Sequence, residues 1–246
     1  MFDSISSSPE KVFETFSAES FQYLVYFGVS LVVFCFTMVL YFSERQVFQR
    51  FLGSIHPLAT ILVAIVVGFI LQSFLLSKKW FVIFDIENLP GLIRFSGLAA
   101  LLGVIMIIMD TRIKFPAEIN ILFPQSLLFY PVIAFFVEIL FHVFPLTLLI
   151  AVMSSTLKNL NLNTISWISI FIVSIAEPIY QTMDMASSKR FPIWAMAYVG
   201  LHIFLINFFQ LLIFKKHDFI AMYSFRLVYY LFWHIGWGYL RLFLLF

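Results

Sequence analysis

The sequence predicts an all-α fold, a polytopic membrane helix bundle of about seven transmembrane helices, and three observations carry that prediction. First, 62% of the 246 residues are hydrophobic and 11% charged, against about half apolar and a quarter charged in soluble domains. Second, mean hydropathy is +1.01, more apolar surface than a water-soluble fold of this size can hide. Third, the apolar residues fall in runs of the length that crosses a bilayer core of about 30 Å, about 20 residues in a helix, with charges between the runs.

Taken in order, residues 1–20 read as a surface segment. They carry Asp3, Glu10, Glu14 and Glu19, the reverse of the basic start of a secretory signal, and Ser8-Pro9 suits the start of a short amphipathic helix. Residues 21–246 read as a single transmembrane domain without internal repeats. The first span runs over Phe21–Phe42 and stops at Ser43-Glu44-Arg45; the second covers Pro57–Leu76 and stops at Lys78-Lys79. Trp80 to Pro90, with Asp85 and Glu87, reads as interfacial chain before a third span at Leu92–Met109. The fourth follows Pro124-Gln125-Ser126 and reaches Met153, long enough to require tilt or a break near Pro145. The fifth, sixth and seventh spans are Ile165–Met183, Ile193–Phe214 and Phe219 onward, with Lys215-Lys216 in the last connection.

Several function classes are excluded at once. A formal net charge of +2 with scattered basic residues builds no phosphate-binding surface, so nucleic acid is not a partner. One cysteine, Cys35, permits neither an internal disulfide nor a multi-cysteine metal site. Arg45, Arg50, Arg112, Lys114, Lys189 and Arg190 balance Lys11, Lys78, Lys79, Lys158, Lys215 and Lys216, so the positive-inside rule assigns no orientation. The expected partners are the lipid bilayer and a membrane-associated peptide or protein substrate, and the expected location is an integral, multi-pass one.

Function must lie with the polar residues inside the spans, because a charge at the centre of an inserted helix costs roughly 2.5–3.5 kcal/mol and needs a partner. Glu138 and His142 are four apart, as are Glu177 and Gln181, and Arg226, Tyr230 and His234 repeat at the same spacing; each set therefore lies on one helix face. Counting about 1.5 Å per residue from the helix ends brings Glu138, Glu177, His202 and Tyr230 to one depth. Such a cluster could bind a divalent metal such as Zn through Glu138, His142, Glu177 and His234, or hold a glutamate as general base toward water. Arg226 could neutralise a carboxylate or polarise a carbonyl. The same residues could equally staple helices together, and intramembrane Glu, His and Arg also build transporter relays. His202 with Asn207 reads as interhelical hydrogen bonding, and Trp233, Trp237 and Tyr239 as packing or an interfacial belt.

The segment Val137-Glu138-Ile139-Leu140-Phe141-His142 resembles the first motif, Glu-Glu-x-x-Phe-Arg, of the CPBP family, the intramembrane endopeptidases related to CAAX prenyl proteases and bacteriocin-processing proteins. Glu138 stands at the second Glu position, Val137 at the first and His142 at the Arg position. The second motif, Phe-x-x-x-His, aligns with Val173 to Glu177, and the last, His-x-x-x-Asn, with Arg226 and Tyr230 or with His234 and Gly238. The resemblance covers residues of about 126–240 and implies hydrolysis of a peptide bond within the membrane. In the family the first Glu activates water with help from two histidines; with Val137 in that place, the resemblance passes the base role to Glu138. His142 and Glu177 then become ligands or orienters, His234 an oxyanion stabiliser or ligand, and Arg226 the counter-charge. A non-catalytic scaffold or subunit, and a transporter, are the alternatives.

Overall fold

The computed structural model describes residues 9–188 and 190–246, with side chains for 19–183, 185–187 and 190–246. Residues 1–8 of the expected surface segment lie outside the described residues. The chain is helical throughout its elements, with no strand among the described residues. Eight helices follow one another among the described residues: α1 (Pro9–Glu44), α2 (Gln46–Leu52), α3 (Pro57–Ser77), α4 (Leu89–Ile113), α5 (Ser126–Thr156), α6 (Leu162–Ser188), α7 (Ile193–Lys216) and α8, which runs from Phe219–Tyr230 through Leu231–Trp237 to Gly238–Leu244. The helix expected after Ser8 does start at Pro9, but it is not short. It continues into the first span without interruption.

Among the described residues, six helices are long and apolar enough to cross a membrane: α1 from Glu19, α3, α4 with the turn before it, α5, α6 to Ser187, and α7. The seventh expected span, α8, falls outside that set. It carries Arg226 and Arg241, and eight of the twelve residues of Phe219–Tyr230 are buried. Helix α8 packs against α4, α5 and α7, so protein rather than lipid surrounds its inner half. A helix buried on that many sides does not need an apolar exterior.

Local chemistry sets several boundaries. Pro57 opens α3, where its missing N–H costs nothing. Gly53 takes φ +59° where α2 turns toward α3, a conformation glycine adopts without strain. Lys114, in the left-handed region at φ 53°, ends α4 by returning its N–H to the Asp110 carbonyl at 2.7 Å. Asp218 caps α8 by accepting from Ala221 N at 2.7 Å. The same carboxylate accepts from Asn88 Nδ2 at 2.8 Å, tying α8 to the connection between α3 and α4.

The break expected near Pro145 takes another form. Helix α5 does not break; it widens into a π-helical turn over Glu138–Val143, in which Phe144 N bonds Ile139 O, five residues back. Pro145 has no N–H for the carbonyl of Phe141, and the shifted register ahead of it absorbs that loss. A second π-helical turn, Leu231–Trp237, lies in α8. The two widened turns carry Glu138, His142 and His234.

Candidate functional site

The centre is assembled by α5, α6, α7 and α8. Glu138, fully buried on the π turn of α5, accepts at Oε1 from Arg226 Nε at 2.5 Å and also from Gln210 Nε2 of α7. Its Oε2 lies 2.7 Å from His142 Nδ1 one turn on. An ionised carboxylate only accepts, so Nδ1 carries the proton of this pair. Arg226 spreads the rest of its guanidinium over four groups: Nη1 donates to Tyr230 Oη at 3.2 Å, and Nη2 faces Gln210 Oε1 at 2.9 Å, Glu177 Oε2 at 3.3 Å and Asn207 Oδ1 at 3.4 Å. Glu177 Oε1 in turn accepts from Gln181 at 2.9 Å.

Thus Glu138, His142, Glu177 and Arg226 come together, as the four-residue spacings and common depth predict. His234 does not join them. Its Nδ1 lies 2.6 Å from Asn120 Oδ1, and its ring stacks on Tyr130 at 4.6 Å between centroids. Tyr230 stands between the two groups, 4.8 Å from His234 ring to ring, with its hydroxyl on Arg226. His202 and Asn207 make the expected interhelical hydrogen bonds from α7 to α8, His202 Nε2 with Tyr229 Oη at 3.3 Å and Asn207 Oδ1 with Arg226 Nη2 at 3.4 Å.

The proposed ligand set Glu138, His142, Glu177 and His234 therefore does not form a metal site. No group of three or more His, Cys, Asp or Glu among the described residues is arranged to hold a metal ion. The physical reason is that the cation between the two carboxylates is already present as a guanidinium, which takes the Glu138 Oε1 lone pairs. Buried in this way, the pair is held by mutual attraction only because its hydrogen bonds are also satisfied.

Two polar atoms of the centre stay without a hydrogen-bond partner, His142 Nε2 and Asn207 Nδ2. Two carboxylates, those of Glu138 and Glu177, share the one guanidinium of Arg226. The arrangement can therefore orient an imidazole through Nδ1 and leave Nε2 to exchange a proton, which is what a carboxylate does for a catalytic histidine.

Sequence reasoning missed two partners. Gln210 lies three residues beyond Asn207, on the same face of α7, and that spacing was signal enough to include it. Asn120 was not legible, since it enters from the connection between α4 and α5. Gly238 makes room for it: a Cβ there would meet the Asn120 carboxamide at 3.0–3.1 Å. A loop residue thus fills the space a side chain at 238 would take.

Comparisons of the chain with protein-family models, with curated proteins and with solved structures find no match.

Proposed function

We propose that this chain is a membrane-embedded hydrolase of CPBP type, acting on a peptide bond, in which His142 rather than Glu138 takes the proton from water. The observation that carries this reading is the buried Nε2 of His142, without a partner on a ring whose Nδ1 is held by Glu138. Glu138 is a poor base because Arg226, Gln210 and His142 occupy both its oxygens. It is well placed as an orienter, fixing the imidazole tautomer and stabilising the imidazolium that forms. In the reaction Nε2 accepts a proton from water, the water oxygen adds to the carbonyl carbon, and the same proton passes to the departing amine. Arg226 holds Glu138 in place, and the apolar surroundings strengthen the interaction between the two.

The test is cleavage of quenched fluorogenic peptides by the full-length protein in proteoliposomes. His142→Gln is expected to lower turnover by about two to four orders of magnitude, and Glu138→Gln to lower it while the protein stays folded. Cleavage unchanged in His142→Gln removes the imidazole from the mechanism.

A second reading is favoured by a separate observation: Glu138 and His142 are both fully buried and both Glu138 oxygens are engaged. On that reading the chain is a non-catalytic membrane scaffold or subunit, and the cluster fixes the packing of α5 to α8. It predicts no cleavage by the wild type and a loss of stability in each variant.

A further inference from the structure

A groove of about 430 Å³ opens to the bilayer between α3 and the π turn of α5, lined by Ile55, Ala59, Val63 and Val67 on one side and Leu140 and Phe144 on the other. Its walls are apolar and outward-facing: Val63 is 61% exposed and Leu140 45%. From Ile55 to Val67 the chain rises roughly 18 Å, comparable with one leaflet of a hydrocarbon core about 30 Å thick. The groove therefore runs from one membrane face to about mid-membrane, where the α5 turn closes it.

The mouth is not apolar. His56, the residue before α3, lies with Nε2 3.1 Å from Tyr41 Oη, and the Arg45 guanidinium sits over the Tyr41 ring at 5.2 Å. Arg45 and His56 are exposed. The neighbouring acid, Glu44, keeps its charge while accepting from the neutral amide of Gln125 at 2.6 Å, and exposed Arg50 on α2 of the same connection, with Arg45, outweighs it. The first turn of α3 adds the positive end of a 21-residue helix at the same level. Positive charge at a membrane face, above an apolar slot one leaflet deep, matches the two ends of an anionic phospholipid.

We propose that this groove binds an acyl chain of an anionic glycerophospholipid from the leaflet at the Arg45 face, with the lipid phosphate held by Arg45, His56 and the opening of α3. The site is separate from the Glu138 centre and does not depend on hydrolysis, though its inner wall is the outer face of the turn that carries Glu138.

The experiment is retention of dioleoyl phosphatidylglycerol against dioleoyl phosphatidylcholine by the full-length protein in detergent, read by native mass spectrometry. Wild type is expected to favour the anionic lipid about fivefold, the effect of one surface cation. Arg45→Gln should bring the two lipids to equal retention, and Val63→Trp, which fills the groove from an exposed position, should lower retention of both. Thermal unfolding checks that each variant is folded. Equal retention of the two lipids by wild type overturns the proposal, as does unchanged retention in Val63→Trp. Val63→Cys in a Cys35→Ser background tests for a neighbouring protein helix instead. A disulfide-linked dimer in phosphatidylglycerol vesicles shows the groove covered by protein and also overturns it.

Discussion

Two buried arginine–carboxylate centres lie on the same helix, and they are built differently. Near the end of α8, Arg241 meets Asp110 of α4 as a fork, Nε to Oδ2 at 2.7 Å and Nη2 to Oδ1 at 3.0 Å. The remaining donors go to the carbonyls of Phe115 at 2.6 Å and Pro116 at 2.8 Å. Asp110 also accepts from Trp237 Nε1 at 2.7 Å and from Phe115 N at 3.0 Å. One positive charge faces one negative charge, and both side chains are fully buried. This is how the protein fastens the loop after α4 to the end of α8. At Arg226 two carboxylates face one guanidinium, a histidine is attached, and two polar atoms have no partner. Intramembrane charge alone therefore does not mark a site in this protein. What separates the two centres is their completeness: the Arg241–Asp110 pair is closed, and the Arg226 centre is not.

The strongest way to break that contrast is to neutralise one carboxylate in each centre and measure thermal unfolding in detergent. Asp110→Asn leaves Arg241 buried without its counter-charge and is expected to cost about 3–5 kcal/mol. Glu177→Gln alters the longer of the two carboxylate contacts of Arg226, at 3.3 Å against 2.5 Å for Glu138, and is expected to change stability by no more than about 1 kcal/mol. Equal losses in the two variants would mean that Glu177 is as much a structural partner as Asp110.

Gly238→Ala sharpens the comparison at the boundary between the centres. The new methyl reaches the Asn120 carboxamide at 3.0 Å, so the loop must give way or the Asn120–His234 pair must part. A cost of about 1–3 kcal/mol is expected, with a changed His234 resonance in the NMR spectrum. An unaltered His234 signal would show that Asn120 yields without disturbing the ring.

The smallest effect belongs to Asp218, outside the spans. Burial pushes its carboxyl above the usual 3.8, against the lowering effect of its hydrogen bonds to Ala221 N and Asn88. A folded value above the unfolded one means stability is fully present below 3.8 and is lost as pH rises through the folded value. Asp218→Asn should flatten that part of the pH–stability curve while Oδ1 keeps the cap. A curve identical to wild type would place the dependence on another group.

Much of this was legible beforehand, for identifiable reasons. The span positions follow from the cost of exposing polar groups to hydrocarbon, which leaves a mark on every residue of a lipid-facing helix. The meeting of Glu138, His142, Glu177 and Arg226 follows from helical spacing and depth. His234 shares its face with Arg226 at a spacing of eight, yet the widened turn from Leu231 intervenes, and spacing rules for a regular helix no longer hold across it. Asn120 and Gln125 act from a connection whose path no periodicity encodes.

By itself, then, the sequence determined that this chain is an all-α membrane bundle and that Glu138, His142, Glu177 and Arg226 must be buried with partners, though not the Asp110–Arg241 pair, because both follow from transferring side chains out of water. Only the tertiary structure decided which partner each one received. Glu138 meets a guanidinium and an imidazole, not a metal, and His234 meets Asn120, because those pairings depend on the register of the π turns and on a loop folded back beneath Gly238. These are long-range geometric facts that local free energies along the chain do not contain.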